Sequence, residues 1–187
     1  MNRLLLITVI SLTGFFAHAQ EISVGAKGGL NFANISNISG DDRVSGHLGL
    51  FLNAKMNRNW HIQPELLYSW EGQRYWDGAQ YTTALNYVTI PLMFQYYPVR
   101  GFYLEFGPQL GLLAAAHDKG PDGHNADIKE NFHKEEVSLD FGAGFRATQQ
   151  LGFYGRFTAG VTNISAIDNY SYTNGVFQLG VEYRFQQ

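Results

Sequence analysis

Three groups of side chains in this chain have types and spacing that could do chemistry. The first is the run His117-Asp-Lys-Gly-Pro-Asp-Gly-His-Asn-Ala-Asp127, with His133 after it. Carboxylate oxygens and imidazole nitrogens suit divalent cations, so Asp118, Asp122, His124 and Asp127 are the candidate ligands. Their spacing matches no established cage, and polar loops are rich in these residues, which favours a solvated loop over a metal site. The second group is Ser45 and His47, with Asp41 and Asp42 just before them. Residues two apart on a strand share a face. A serine, an imidazole and a carboxylate together could activate a hydroxyl for attack on an ester, the chemistry of a lipid-modifying enzyme. Any polar strand end offers such a trio by chance. The third group is a set of charges at alternating positions: Lys27, Lys55, Arg146, Arg156 and Arg184 against Glu65, Glu105, Asp140 and Glu182. Their signs nearly cancel. Enclosed together they must be paired and hydrogen-bonded, so they read as a salt-bridged core, with a proton or small-solute path as the alternative.

Other chemistry is excluded. The chain has no Cys, hence no disulfide, thiolate site or lipidated N-terminal Cys. The glycines of Gly25-Ala-Lys-Gly28 and Gly142-Ala-Gly144 lie within strand patterns with no helix following, so they are not phosphate loops. The net charge of −3 leaves no basic footprint for nucleic acid. The expectation is no catalytic residue, no cofactor and no bound metal.

The elements that position these groups are strands. Gly175 to Phe185 alternates without a break: Phe177, Leu179, Val181, Tyr183 and Phe185 point one way, Gln178, Gly180, Glu182 and Arg184 the other. The same alternation predicts strands over Ile22–Phe32, His47–Lys55, Trp60–Trp70, Asn86–Tyr96, Phe102–Leu112, Glu136–Arg146 and Leu151–Val161. Connections alternate in length. Asn34–Asp42, Glu71–Thr83, Ala116–Lys134 and Asn163–Asn174 read as long loops; Met56–Asn59, Tyr97–Gly101 and Ala147–Gln150 read as short turns. Strands of about nine to eleven residues cross a bilayer when tilted. The composition, with 21 Gly, 14 Phe and 11 Tyr, suits turns and aromatic girdles better than helices. Trp60, Tyr68, Trp70, Tyr75, Trp76, Tyr81, Tyr87, Tyr96, Tyr97, Tyr170 and Tyr172 gather at strand ends and read as interfacial anchors, the loop aromatics Tyr75, Trp76 and Tyr81 alternatively as a partner surface.

The fold expected is all-β: an eight-stranded antiparallel up-and-down transmembrane β-barrel, the smallest usual size for an outer-membrane barrel, its apolar face on lipid and its polar face inside. A lipocalin-type barrel would want the reverse polarity. Residues 1–19 read as an export signal: Arg3, an apolar run from Leu4 to Ala17, and the small-x-small site Ala17-His18-Ala19, leaving residues 20–187 as the barrel domain. Pro64, Pro91 and Pro108 fall inside strands and require bulges or strand ends, because proline cannot donate to a ladder.

Five stretches resemble a known family. They are Val24-Gly-Ala-Lys-Gly-Gly-Leu-Asn-Phe-Ala-Asn-Ile35, Ile62-Gln-Pro-Glu-Leu-Leu-Tyr68, Tyr87-Val-Thr-Ile-Pro-Leu92, Gly107-Pro-Gln-Leu-Gly111 and Asp140-Phe-Gly-Ala-Gly-Phe145. Together they are similar to the PorT-like outer membrane protein β-barrel domain group, across essentially the whole exported chain. The resemblance implies the barrel fold and makes Pro64 and Pro91 recurrent features of such strands. Its namesake assists a gliding and protein-export secretion system. No catalytic residues come with it. The expectations are therefore a non-enzymatic barrel in contact with outer-membrane lipid, structural, adhesive or accessory to envelope or secretion-system proteins. The alternative is a ligand-binding or transport barrel using loop 116–134.

Overall fold

A computed structural model describes residues 21–36, 40–167 and 170–185, the Asp122 side chain excepted. The expected export signal and Gln186–Gln187 lie outside the described residues. Eight long strands run β1 Glu21–Ile35, β2 Asp41–Lys55, β3 Trp60–Trp76, β4 Gln80–Tyr96, β5 Phe102–Lys119, β7 Glu135–Arg146, β8 Leu151–Gly160 and β9 Asn174–Arg184. A three-residue strand, β6 (Asn125–Asp127), folds back onto the end of β5. Each long strand pairs antiparallel with the next in sequence, and β9 pairs with β1, so the eight form a closed ring. Closure leaves no free edge among them, which is the condition for strands to survive in lipid.

The alternation works as read. In β5, Phe102, Leu104, Phe106, Leu110 and Leu112 are exposed on the outer wall, while Tyr103, Glu105 and Gln109 are buried inside. The exterior is a continuous apolar belt and the interior is polar, the polarity of a barrel in lipid. Trp60 packs on Tyr96 (ring centroids 5.0 Å) and edge-on to Phe106 at one end of the belt; Tyr68 meets Trp70 at 5.1 Å at the other. Two expected girdle residues face the other way. Tyr87 and Tyr97 are buried inside, because their odd-numbered positions on and beside β4 point into the barrel.

The two ends differ more than loop lengths imply. The short turns at 56–59, 97–101 and 147–150 lie where expected, Gly101 taking φ +89° in the second. At the other end, the strands continue past the apolar belt. The expected loop Glu71–Thr83 is instead a paired hairpin, from Glu71↔Leu85 out to Trp76↔Gln80, and β5 runs to Lys119. Polar residues with strand pairing satisfy their backbone within the sheet, so polarity alone did not mark a loop. A register shift between β4 and β5 at Asn86/Tyr87 brings both Leu113 and Ala116 inside. They join Ile35, Leu85, Tyr87 and Ile164 in an apolar cluster that roofs this end, with Ile128, Phe132 and Tyr172 packed on it.

The prolines sit in neither bulges nor strand ends. The β3–β4 ladder is interrupted between Pro64↔Leu92 and Leu67↔Thr89, and the β4–β5 ladder between Pro91↔Gln109 and Phe94↔Phe106, with the register unchanged across each gap. Pro91 and Pro108 fall opposite residues within those gaps. The ladder opens locally where a donor is missing, and the closed ring holds the register.

Candidate functional site

The barrel interior is organised around Arg156 on β8. Its Nη1 and Nη2 donate to both oxygens of Glu65 at 2.9 and 2.8 Å, and its Nε donates to Glu105 at 2.8 Å. Asp140 approaches its Nη1 at 3.7 Å. Lys27 donates to Glu65 at 3.0 Å and lies 3.8 Å from the centre of the Tyr154 ring. The side chains of Arg156, Lys27, Glu65, Glu105 and Asp140 are fully buried. A guanidinium forks onto carboxylates along two directions, so one residue bridges β3, β5 and β7 across the lumen. Polar amides extend the network towards the turn end: Gln63 to Glu65, Asn53 to Gln63 and Gln95, Gln95 to Glu105. Of the nine charges read as a salt-bridged core, Lys27, Glu65, Glu105, Asp140 and Arg156 form it; Lys55, Arg146 and Arg184, with Glu182 beside Arg184, lie instead at the open turn end.

The charges are sorted along the axis. Two buried carboxylates missed in the sequence, Glu71 and Glu136, sit at the loop end. Glu71 accepts from Asn174 and Glu136 from Ser138. The sequence pattern puts Glu71 at the start of a loop and Glu136 at a strand start. Inward parity at an extended strand end is the signal that finds both. Arg146, Arg184, Lys55 and His61 lie at the turn end.

The proposed nucleophile set is not assembled. Ser45 Oγ donates to the Trp70 carbonyl at 2.5 Å. His47 is buried in the lumen, its Nδ1 against Asn31 Oδ1 at 2.5 Å and its Nε2 against the Tyr154 hydroxyl. Asp42 accepts from Asn34 at 3.0 Å. Both imidazole nitrogens are thus committed to interior partners, and His47 is a strut of the core.

The histidine–aspartate run is split by β6. Asp118 on β5 accepts the Tyr75 hydroxyl at 3.0 Å through both oxygens and lies 3.5 Å from His124 Nε2. Asp127 accepts the Lys129 amide at 2.9 Å, and the His133 amide donates to the Ile164 carbonyl. Among the described residues no three His, Asp or Glu side chains converge as a metal set. What forms instead is an aromatic tip. Tyr75 stacks on Tyr81 at 5.5 Å, His124 stands edge-on to Tyr81 at 5.8 Å, and Trp76 is 77 % exposed at the hairpin end. Partial burial, then the Asp118 carboxylate it donates to, pushes the Tyr75 hydroxyl up to about 12.

A closed eight-strand ring with an apolar wall and a charged, packed lumen has a counterpart among known families. The family described as "Outer membrane protein beta-barrel domain" matches residues 18–166. The chain belongs to that family. It is a small β-barrel protein of the outer membrane, its wall in contact with lipid. By the general architecture of such barrels, the short turns and both strand termini face the periplasm and the extended hairpins face outside. The structure is similar to Neisserial surface protein A, with a TM-score of 0.57 at 10 % identity over 88 % of this chain and 97 % of that one. It is also similar to Ail of Yersinia pestis in complex with the heparin analogue sucrose octasulfate, with a TM-score of 0.52 at 15 % identity over 89 % and 100 %. At these identities the likeness is one of fold. No curated protein matches the chain.

Proposed function

We propose that this outer-membrane barrel is non-enzymatic and works through its outer rim, as an adhesive or partner-docking surface. The observation that carries this reading is the plug. Arg156, Lys27, Glu65 and Glu105 fill the lumen with no exposed side-chain surface, so solute flow is not what the interior is built for. The strands spend their extra length outside the belt. There Tyr75 and Tyr81 of the paired hairpin and His124 of the β5–β6 connection pack into an aromatic cluster, Trp76 stands exposed on the other face of the hairpin, and Ile167 and Tyr170 add exposed apolar surface on the β8–β9 loop. Exposed aromatics held by a sheet are the usual anchors of recognition surfaces. Ail, of the same fold, is a barrel seen with a sulfated sugar analogue. The rim here is aromatic and of mixed charge, which favours a protein or glycan that stacks on rings.

Within the family, the PorT-like motifs support a narrower role as accessory to a secretion machine. Residues 1–19 act in this reading as a cleaved export signal.

Cells carrying Tyr75→Ser, Trp76→Ser and Tyr81→Ser together should keep a heat-modifiable barrel in the outer membrane yet lose surface adhesion or partner co-purification. Unchanged adhesion would sink the rim reading. In planar bilayers the purified protein should give no stable, large single-channel current; such currents would establish conduction instead.

A further inference from the structure

The periplasmic end of the lumen is not packed. Below the plug lies an open vestibule of about 900 Å³, walled by β1, β2, β3, β7 and β9 and by all three short turns. Five cations line it: Lys55, Arg58, Arg100, Arg146 and Arg184. Two carboxylates stand near them. Glu21, at the mouth, pairs with Lys55 at 3.4 Å, and Glu182 lies 3.4 Å from Arg184 Nη2. Among the described residues, Arg146 donates to neutral acceptors: the Tyr97 hydroxyl at 2.5 Å and Asn53 Oδ1 at 3.5 Å. Its guanidinium also lies 4.7 Å from the centre of the Tyr97 ring. Arg184 is nearly buried, and among the described residues the Nε–H groups of both arginines are enclosed without a hydrogen-bond acceptor.

These facts are uneconomical for a structural core. Buried donors are ordinarily satisfied, and an enclosed cation ordinarily has a counter-charge. The barrel meets both conditions at Arg156; among the described residues Arg184 has its counter-charge in Glu182 but an unmatched Nε–H, and Arg146 has neither a carboxylate partner nor an acceptor for its Nε–H. The vestibule floor presents converging cations and enclosed donors, which a multivalent acceptor satisfies. Guanidinium forks match the oxygens of a phosphate, and several converging cations favour an anion of more than one charge. The cavity is of the size that holds small ligands. The plug above it makes the vestibule a dead end, suited to holding a ligand and not to passing it.

We infer that the vestibule is a phosphate-binding site open to the periplasm, with Arg146 and Arg184 as its floor and Lys55, Arg58 and Arg100 as its mouth. It takes a phosphorylated small molecule or the phosphate headgroup of a periplasmic-leaflet lipid. This stands independently of the rim reading, which concerns the opposite end.

The test is calorimetric titration of the purified full-length protein in a zwitterionic detergent with pyrophosphate, and in parallel with short-chain phosphatidylglycerol below its micellar concentration. Saturable, salt-sensitive binding of pyrophosphate assigns a soluble ligand; binding of the lipid alone assigns a headgroup. Either is expected to weaken about tenfold in Arg146→Gln or Arg184→Gln, as loss of one charge-assisted contact does. Arg58→Gln with Arg100→Gln, on exposed turns, should weaken it several-fold with no effect on heat-modifiable mobility. These two keep the test valid where the floor variants misfold. No saturable binding of either probe, or binding equal in the parent and the turn variant, overturns the assignment.

Discussion

Replacing Arg156 by methionine tests the interior most directly. The substitution keeps most of the side-chain volume and removes a charge. It leaves Glu65, Glu105 and Asp140 facing one remaining cation, Lys27, which reaches Glu65 alone. Breaking a buried pair by deleting one partner costs about 3–5 kcal/mol, because an uncompensated charge stays behind. Here three carboxylates lose their shared partner at once, so the upper part of that range is expected. The readout is urea unfolding in lipid vesicles, followed by tryptophan fluorescence and by heat-modifiable gel mobility. Adding Glu105→Gln to Arg156→Met should recover part of the loss, since it removes one of the two carboxylates that Lys27 does not reach. An Arg156→Met barrel within about 0.5 kcal/mol of the parent, the ordinary range for inconsequential surface changes, would refute the claim that this residue holds the lumen together. So would a double variant worse than the single.

Ile164→Ala empties part of the apolar roof, where Ile164 is fully buried; it should cost about 2–4 kcal/mol and make loop 161–173 open to protease before the barrel unfolds. A Cβ at Gly107 would lie 2.0 Å from the Leu92 carbonyl oxygen, so Gly107→Ala must push β4 and β5 apart, lowering stability by about 1–3 kcal/mol in the same urea assay. The Tyr75 hydroxyl, near 12 in the folded barrel, should move back towards 10 in Asp118→Asn, measured by NMR of ring-labelled tyrosine. Because this folded value lies above the unfolded one, its contribution is present below about pH 10 and is lost as pH rises through 12.

The transmembrane part of the fold was legible because lipid imposes a strict rule. Every second residue of a spanning strand must be apolar, and Phe177 to Phe185 or Phe102 to Leu112 obey it without exception. Beyond the belt that rule lapses. Glu71 to Trp76 pairs as strand with polar side chains, so its alternation carries no hydropathy signal and it read as loop. For the same reason Glu71 was not seen to be interior. Ser45 and His47 share a face as the spacing requires, but the fold gives each a different partner: the Trp70 carbonyl on the adjacent strand for Ser45, and Tyr154 across the barrel for His47. Sequence spacing reports which way a side chain points; it does not report what stands within hydrogen-bonding reach on a strand 107 residues distant. Asp118 and His124 do meet, through the back-pairing of β6, and Tyr75 closes the group from a different hairpin.

The ring is closed by its first and last strands, β1 against β9, in a register that sets Gly29 opposite Gly180. All the other joins are hairpins between sequence neighbours and can form as the chain emerges. This one links residues about 150 positions apart, for which the loop-closure entropy is roughly 4 kcal/mol beyond a constant. Until β9 (Asn174–Arg184) arrives, the barrel is an open sheet with two bare edges and an unsealed lumen. Assembly is therefore gated at the C-terminal strand. A chain truncated before Asn174 is not a slightly shorter barrel but one with no means of closing, and its exposed β1 edge becomes a template for pairing with other copies.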